Sequence, residues 1–222
     1  MGNLAETYGC LGKYTEGEKL EIQVLEARNR ILGVEHLDTI RAIANLTVTY
    51  HKLGKYTKAE KLGMQVLNAR NRILGVEHPD TIRAIANLAG TYHKLGKYTE
   101  AEKLGMQVLD GRKRILGVEH PDTTHAMGNS AVTYCELGQY TEAEKLEIQV
   151  LDTRNRILGM EHPHTILAME NLAATLKSLE KYTEAEKLAI QAQKVKGRVS
   201  GVKFPHTRSL GDSSPQCEEH SL

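Results

Sequence analysis

One stretch of ten residues recurs along the chain at a fixed spacing. It reads Leu-Gly-Lys-Tyr-Thr-Glu-Ala-Glu-Lys-Leu at 95–104, and related versions occur at steps of 42 residues. These copies begin at Leu11, Leu53, Leu95, Leu137 and Leu179. A period of this length over most of a chain is typical of an array of stacked units, in which each unit packs only on its neighbours. The sequence therefore predicts a repeat protein rather than a globular domain around one central core.

Each copy of this stretch marks a junction between two helices. Gly96 follows a run of apolar residues with helical spacing and suits the left-handed conformation that ends a helix. Thr99 and Glu102 match a capping box, in which each side chain binds the other residue's free backbone amide, so Thr99 is predicted to open the next helix. The same pair recurs in all five copies. The unit is thus a predicted helix, a three-residue turn and a second helix, here named helix A and helix B.

The two helices differ in their apolar patterns. Helix A, predicted to begin at Pro79, carries one apolar stripe at three- and four-residue spacing that ends at Leu95. Helix B, predicted from Thr99 to about Leu116, carries two apolar rows. One row contains Ala101, Leu104, Val108 and Ile115, and the other contains Met106, Leu109 and Leu116. A helix that is apolar on two sides is expected to lie between its own helix A and that of the next unit. This pattern predicts an all-α solenoid of antiparallel helix pairs.

The pattern covers residues 1–196, as five helix pairs of which the first is truncated. Met1 aligns with Ile43 one period later, so the first helix A is incomplete. In 197–222 the pattern decays into a degenerate remnant of a further unit at 202–207 and then a segment without apolar periodicity, for which disorder is expected. Terminal repeats normally need polar outer faces. Because none is evident at either end, self-association or fraying through uncapped ends is expected.

Composition and charge exclude several classes of partner. The net charge is +1, from 29 basic and 28 acidic residues, so neither nucleic acid nor an anionic membrane is an expected partner. Basic triplets such as 112–114 are interpreted as solvated helix ends. The cysteines, Cys10, Cys135 and Cys217, are isolated, which favours a reducing compartment. No secretion signal or long apolar run is evident, so a cytoplasmic location is expected.

Neither catalysis nor cofactor binding is indicated by the motifs. Phosphate-loop, nucleophile-elbow and zinc-protease motifs are absent, so no catalytic residue and no cofactor are expected. Histidines recur in the connectors between units, at His36, His78, His120 and His162. Because packed helices lie roughly 8–10 Å apart, these side chains are too far from each other to share a metal ion. A structural role in the connector is expected, and no metal site.

The repeated motifs resemble a known family. Asn-Leu-Ala in the middle of helix A, Tyr92, the turn at 95–98, Ala101-Glu102 and the connector Gly-Val-Glu-His-Pro-Asp together resemble a tetratricopeptide repeat, and the 42-residue period resembles the kinesin light chain subtype. The resemblance implies a right-handed superhelix with a concave groove, and a non-enzymatic scaffold that binds a peptide or protein. Where the family usually has an aromatic residue, four positions after the helix B alanine, this chain has glutamate, glycine or alanine, which suggests looser packing there.

Two alternatives to a scaffold remain open. Similar regular repeats are found in large fungal families, often at the C-terminal end of NB-ARC-type signalling ATPases, so the chain could be the detached sensor region of such an ATPase. The incomplete first helix and the decayed tail leave open a non-functional gene fragment. A nucleotide-binding motif encoded upstream would favour the first alternative, and an absence of transcript and protein would favour the second.

Candidate binding residues lie on helix A, off its apolar stripe. One asparagine recurs at the same height in each unit, at Asn3, Asn45, Asn87, Asn129 and Asn171. In the family that the chain resembles, asparagines at this place face the groove and bond to peptide backbone; they could equally serve contacts with a neighbouring helix. Basic residues accompany them in the first half of the groove, at Arg41, Arg83, His51, His93, Lys52 and Lys94. Glu136 and Glu170 make the later half less basic. An extended peptide ligand with a mild preference for acidic segments is therefore expected.

Overall fold

The computed structural model describes residues 13–201, without the side chains of 200 and 201. Within this range the chain forms nine α-helices and no strand. They are α1 (Tyr14–Leu32), α2 (Leu37–Lys52), α3 (Tyr56–Leu74), α4 (Pro79–Lys94), α5 (Tyr98–Leu116), α6 (Pro121–Glu136), α7 (Tyr140–Leu158), α8 (Pro163–Ser178) and α9 (Tyr182–Gly201). The last helix continues past the boundary that the sequence suggested at residue 196. The predictions for Asn3, for the helix remnant before residue 13 and for the segment after residue 201 lie outside the described residues.

The helices alternate between the two predicted types. The even-numbered helices are copies of helix A and the odd-numbered helices are copies of helix B. Each helix packs against the next one along the chain, and α2 also contacts α4. The predicted all-α, right-handed solenoid of antiparallel helix pairs is confirmed. Because α2 reaches α4 directly, copies of helix A line the inner, concave side of the stack.

The turns between helix A and helix B have the predicted length and conformation. After α4, the turn consists of Leu95, Gly96 and Lys97, and Gly96 has a φ of +72°. The last turn departs from this pattern, since Glu180 occupies the glycine position with a φ of +61°. A residue with a Cβ atom in this left-handed region costs roughly 1–2 kcal/mol. The turn before α9 is therefore the most strained of these junctions in the described part of the chain.

The predicted capping box is wrong. Helix α5 begins at Tyr98, one residue earlier than expected, and it has no side-chain cap at its start. The glutamate of the motif instead bonds to a lysine of the next unit: Lys97 Nζ donates to Glu60 Oε1 at 2.6 Å. The same link occurs from Lys55 to Glu18 and from Lys181 to Glu144. In these three copies the ammonium group of the next turn takes the carboxylate, and a charged pair forms. In α5 the equivalent residue of the next turn is Gln139, and the cap is absent there as well.

Helix A starts are capped by the connector histidines. Nδ1 of His78 accepts a hydrogen bond from the backbone N–H of Asp80 at 3.1 Å, which satisfies one of the free amides at the start of α4. The bond recurs at His36, His120 and His162. Proline occupies the first helical position in α4, α6 and α8, as predicted. The expected structural role of these histidines is thus helix capping.

The core lies where helix A meets the helices on either side of it. On α4 the predicted stripe is buried at Ile82, Ile85 and Leu88. On α5 the prediction of two buried rows holds only in part. Ala101, Val108 and Leu109 are buried, but Met106, Ile115 and Leu116 are 40–49% exposed. These three lie on the outer surface or at the end of α5, where no helix of the next unit covers them.

Looser packing was expected four positions after the helix B alanine, where the family usually has an aromatic residue. At Gly63 this expectation is wrong. This residue is buried in α3, between α2 and α4. A methyl group built on Gly63 would lie 3.2 Å from Leu88 Cδ1 and 3.6 Å from Thr47 Cγ2. Leu88 therefore fills the space that a larger side chain on α3 would occupy. The absence of a side chain at one position is compensated by a leucine from the next unit.

Candidate binding surface

The recurring asparagines lie at equivalent positions on the copies of helix A, and their exposure differs. Asn87 on α4 and Asn129 on α6 are exposed, whereas Asn45 and Asn171 are half-buried. Asn45 takes part in an interaction within the protein. The side chain of Asn129 lies near the ring of His125, with 3.5 Å between Asn129 Nδ2 and His125 Nδ1. The two central asparagines are thus the ones whose amides are most accessible to a ligand.

The predicted arginines of the groove are exposed but paired. Arg83 Nη2 donates to Asp80 Oδ1 at 2.6 Å, and Arg41 makes the same bond with Asp38. In each case the carboxylate belongs to the first turn of the same helix, three residues before the arginine. The positive charge of each arginine is therefore largely cancelled by its own helix. A ligand carboxylate has to compete with this aspartate for the guanidinium group.

The predicted histidines of the groove are engaged within the protein. The ring of His51 stands edge-on to Tyr56, with 5.3 Å between centroids, and His93 meets Tyr98 in the same way. Burial lowers the pKa of His51, and the ammonium groups of Lys52 and Lys94 lower it further, while a hydrogen bond to the Gly90 backbone opposes them. Burial also lowers the pKa of His93. Both rings are therefore neutral at pH 7.

Two lysines carry the remaining positive charge of this surface. Lys52 is half-buried and Lys94 is exposed, and neither forms an ion pair with another described residue. Further along, Glu136 and Ser178 take the equivalent positions on α6 and α8. Glu170 is exposed and bonds to Lys196 at 2.9 Å. The surface thus becomes less basic along the stack, with fewer uncompensated charges than the residue types suggested.

Sequence reasoning missed an arginine that joins successive units. Arg70 near the end of α3 is only 5% exposed, and its Nη1 donates to the carbonyl of Asp80 in the first turn of α4 at 2.7 Å. The same bond is made by Arg28, Arg112 and Arg154. Burial lowers the pKa of Arg70, Arg112 and Arg154. The recurrence of arginine at one position of helix B is the sequence signal that could have identified this contact.

The interpretation of the basic triplets as solvated helix ends is therefore wrong for their first member. The third member remains exposed but pairs with the connector of the preceding unit. Arg114 Nη1 donates to Glu77 at 2.8 Å and Arg156 Nη2 to Glu119 at 2.7 Å, and Arg72 pairs with Glu35. Most of the recurring basic charge is thus used between units.

A buried carboxyl group lies between α6, α7 and α8. Glu147 on α7 is 5% exposed, and its Oε2 has no hydrogen-bond partner in the described structure. Burial raises the pKa of Glu147, Glu144 raises it further, and a hydrogen bond to the Thr175 hydroxyl opposes the shift. Cys135 of α6 also lies at this junction, with 3.4 Å between its Sγ and Thr175 Oγ1. Ionisation of Glu147 therefore places an uncompensated charge inside the stack.

This carboxyl group is expected to make the stability of the last units dependent on pH. Because the pKa of Glu147 is raised on folding, its contribution to stability is complete below the ordinary glutamate value of 4.5. That contribution is lost as the pH rises through the folded-state pKa. Glu147→Gln should therefore be more stable than the unmodified chain at neutral pH, and the two should converge at low pH. Urea unfolding across this pH range measures the difference. Glu161→Gln, at an exposed position, is the control, and equal pH dependence in all three proteins would contradict the prediction.

Within residues 13–201, no three His, Cys, Asp or Glu side chains converge as a metal site would require. The same part of the chain contains no helix with the length and apolar character needed to cross a bilayer.

A sequence profile described as the tetratricopeptide repeat matches residues 1–72, 48–114, 80–156 and 122–196. The chain belongs to the tetratricopeptide repeat family. The overlapping matches cover the same span as the repeats read from the 42-residue period.

Solved tetratricopeptide repeat structures share this architecture. One is the crystal structure of a kinesin light chain-like protein from Podosopora anserina, whose own repeats are nearly identical to one another. This chain is 27% identical to it in sequence, with a TM-score of 0.81 over 90% of this chain and 95% of that one. BtubC from P. vanneervenii is 21% identical, with a TM-score of 0.78 over 95% of this chain and 85% of that one. MamA from Desulfovibrio magneticus RS-1 is 13% identical, with a TM-score of 0.67 over 88% of this chain and 93% of that one. No curated protein matches the chain. The resemblance to kinesin light chain-like repeats is confirmed.

Proposed function

We propose that the chain is a non-enzymatic scaffold whose concave surface binds an extended segment of a partner protein. Tetratricopeptide repeats generally mediate protein–protein interaction. The observation that supports this use of the concave side is the pair of exposed amides at equivalent positions on adjacent copies of helix A, Asn87 and Asn129. An amide both donates and accepts, so it can bond to peptide backbone of any sequence. A cytoplasmic location agrees with the isolated cysteines.

The same surface favours a ligand that is acidic at one end. Lys52 and Lys94 are the uncompensated cations of its first half, while Glu136 takes the equivalent position in the second half. Arg41 and Arg83 add positive charge for a ligand only if the ligand displaces the aspartates with which they are paired. The preference for acidic segments should therefore be mild and should weaken with added salt, since exposed charges are screened within about 8 Å at physiological ionic strength.

A paired substitution tests the role of the asparagines. A peptide selected on the intact chain from a displayed random library serves as the probe, and its affinity is measured by titration calorimetry. Asn87→Ala together with Asn129→Ala should weaken binding by roughly 1–3 kcal/mol, because each lost amide leaves peptide polar groups unpaired. The control is Asn68→Ala, which removes an exposed amide from α3 outside the concave surface. Full affinity in the double variant, with loss in variants of helix B or the connectors, would show that the binding face is elsewhere.

A further inference from the structure

The outer side of the stack carries a repeated pair of exposed apolar residues. One member lies in the connector after helix B, and the other lies on helix B of the following unit, thirty residues later. The pairs are Val34 and Met64, Val76 and Met106, Val118 and Ile148, and Met160 and Ile190, with exposed fractions of 41–65%. None of these residues belongs to the concave surface. They offer apolar contact area on the opposite side of the protein.

The last of these pairs lines a cleft. The cleft has a volume of about 270 Å³ and lies between the connector that follows α7 and residues 187–198 of α9. Its apolar lining comes from Met160, Ile190 and the buried Val195. Its remaining lining is polar: Gln191 donates to Met160 Sδ at 3.5 Å, and the cations Lys187, Lys194 and Arg198 lie on one face of α9. An apolar floor is thus bordered by three cations from a single helix.

The equivalent place in the preceding unit has its charges neutralised. There, Lys145 bonds to Glu142 at 2.7 Å and Arg156 bonds to Glu119 at 2.7 Å. Asp152 occupies the position that Lys194 occupies in α9. The outer face of α7 therefore has an apolar pair but no surplus of positive charge.

In α9 these compensations are missing. Lys194 replaces the acid, and neither Lys187 nor Arg198 forms an ion pair with another described residue. Glu161 and Glu184 occupy the positions that Glu119 and Glu142 occupy in the preceding unit. No described bond links them to the basic residues of the cleft. The cleft on α9 is thus the place where the repeated apolar pair coincides with uncompensated positive charge.

We propose that this cleft is a second binding site, for an acidic protein segment that carries a large apolar side chain beside its carboxylates. The apolar side chain would contact Met160, Ile190 and Val195, which removes apolar surface from water on both partners. The carboxylates would pair with Lys187, Lys194 and Arg198 at the rim, where complementary charge favours encounter and sets orientation. The site lies outside the concave surface and does not depend on ligand binding there.

The test uses the full chain and a fluorescein-labelled peptide of repeated Glu-Leu-Leu-Glu, with binding measured by fluorescence anisotropy. Lys194→Asp together with Arg198→Gln should lower the affinity at least about tenfold, because attraction becomes repulsion at the rim. Lys61→Asp together with Lys103→Gln makes the same change in net charge at exposed positions on α3 and α5, outside the cleft and the concave surface. This control should keep the affinity for the peptide within about twofold. A peptide with serine in place of leucine should bind about tenfold more weakly.

Cross-linking locates the bound peptide. A carbodiimide joins lysine amines to the peptide's glutamates, and mass spectrometry should find the links at Lys187 and Lys194. Links only at Lys52 and Lys94, or equal loss of affinity in both charge variants, would overturn the proposal. Equally tight, Lys194-dependent binding of an oligothymidylate or of anionic phosphatidylserine vesicles would overturn the assignment to a protein segment. Helix content measured by circular dichroism should match in all variants.

Discussion

Leu88→Ser is expected to lower the free energy of unfolding by about 3–5 kcal/mol. Leu88 is 3% exposed and lies against Gly63 of the preceding helix B, where it fills the space left by the missing side chain. The substitution leaves a cavity between α3 and α4 and buries a hydroxyl group without a partner. Urea unfolding followed by circular dichroism measures the change, and hydrogen exchange should show the loss of protection first in α3 and α4. An unchanged unfolding free energy would contradict this account.

The chain contains its own comparison for this substitution. One unit later, Ser130 takes the position of Leu88, and Gly105 takes that of Gly63. Ser130 is 7% exposed, and its Oγ has no hydrogen-bond partner among the described residues. Ser130→Leu should therefore raise the free energy of unfolding by about 1–2 kcal/mol, because it removes the buried hydroxyl and recreates the leucine–glycine pair. Destabilisation by this second substitution would show that α5 and α6 have already closed around the smaller side chain.

Arg70→Ala is expected to lower the free energy of unfolding by about 2–3 kcal/mol. Its guanidinium group donates to the Asp80 carbonyl, and its buried aliphatic stem packs at the junction of α3 and α4. The substitution removes a charge-assisted bond that links two units and exposes apolar surface. Urea unfolding measures the change in the free energy of unfolding, and the rate of amide hydrogen exchange should rise in the first turn of α4.

Arg72→Ala is the matched control for this prediction. Arg72 lies two residues further along the same helix and pairs with Glu35, but its side chain is 62% exposed. Exposed ion pairs contribute about 0–1 kcal/mol, so this variant should differ little from the unmodified chain. Equal effects of the two substitutions would mean that the Asp80 contact contributes no more than the surface pair. In α9, Lys196 takes the position equivalent to that of Arg70 and pairs with Glu170 instead.

The groove illustrates how far residue types alone predict a binding surface. The positions of the asparagines and basic residues on helix A follow from helical spacing, and those within residues 13–201 lie on the predicted copies of that helix. The spacing does not predict which of these side chains are already paired within the protein or have a shifted pKa. Arg83 is paired with Asp80, and His51 is held against Tyr56 with its pKa lowered by burial. The cleft on α9 was not predicted at all, because Glu161 and Glu184 are present in the sequence and only the structure shows that they do not pair with Arg198 and Lys187.

The sequence by itself determined the 42-residue unit, the order of helix A and helix B, and the left-handed glycine in the turns after α2, α4 and α6. These features depend on chemistry within a few residues, namely apolar spacing, the freedom of glycine and proline at a helix start. Only the tertiary structure decided which charges are used between units. Glu60 faces both its own helix start and Lys97, which lies 37 residues away. Local spacing favours the first partner, whereas the stacking of units brings the lysine ammonium group within bonding distance and the stronger charged pair forms.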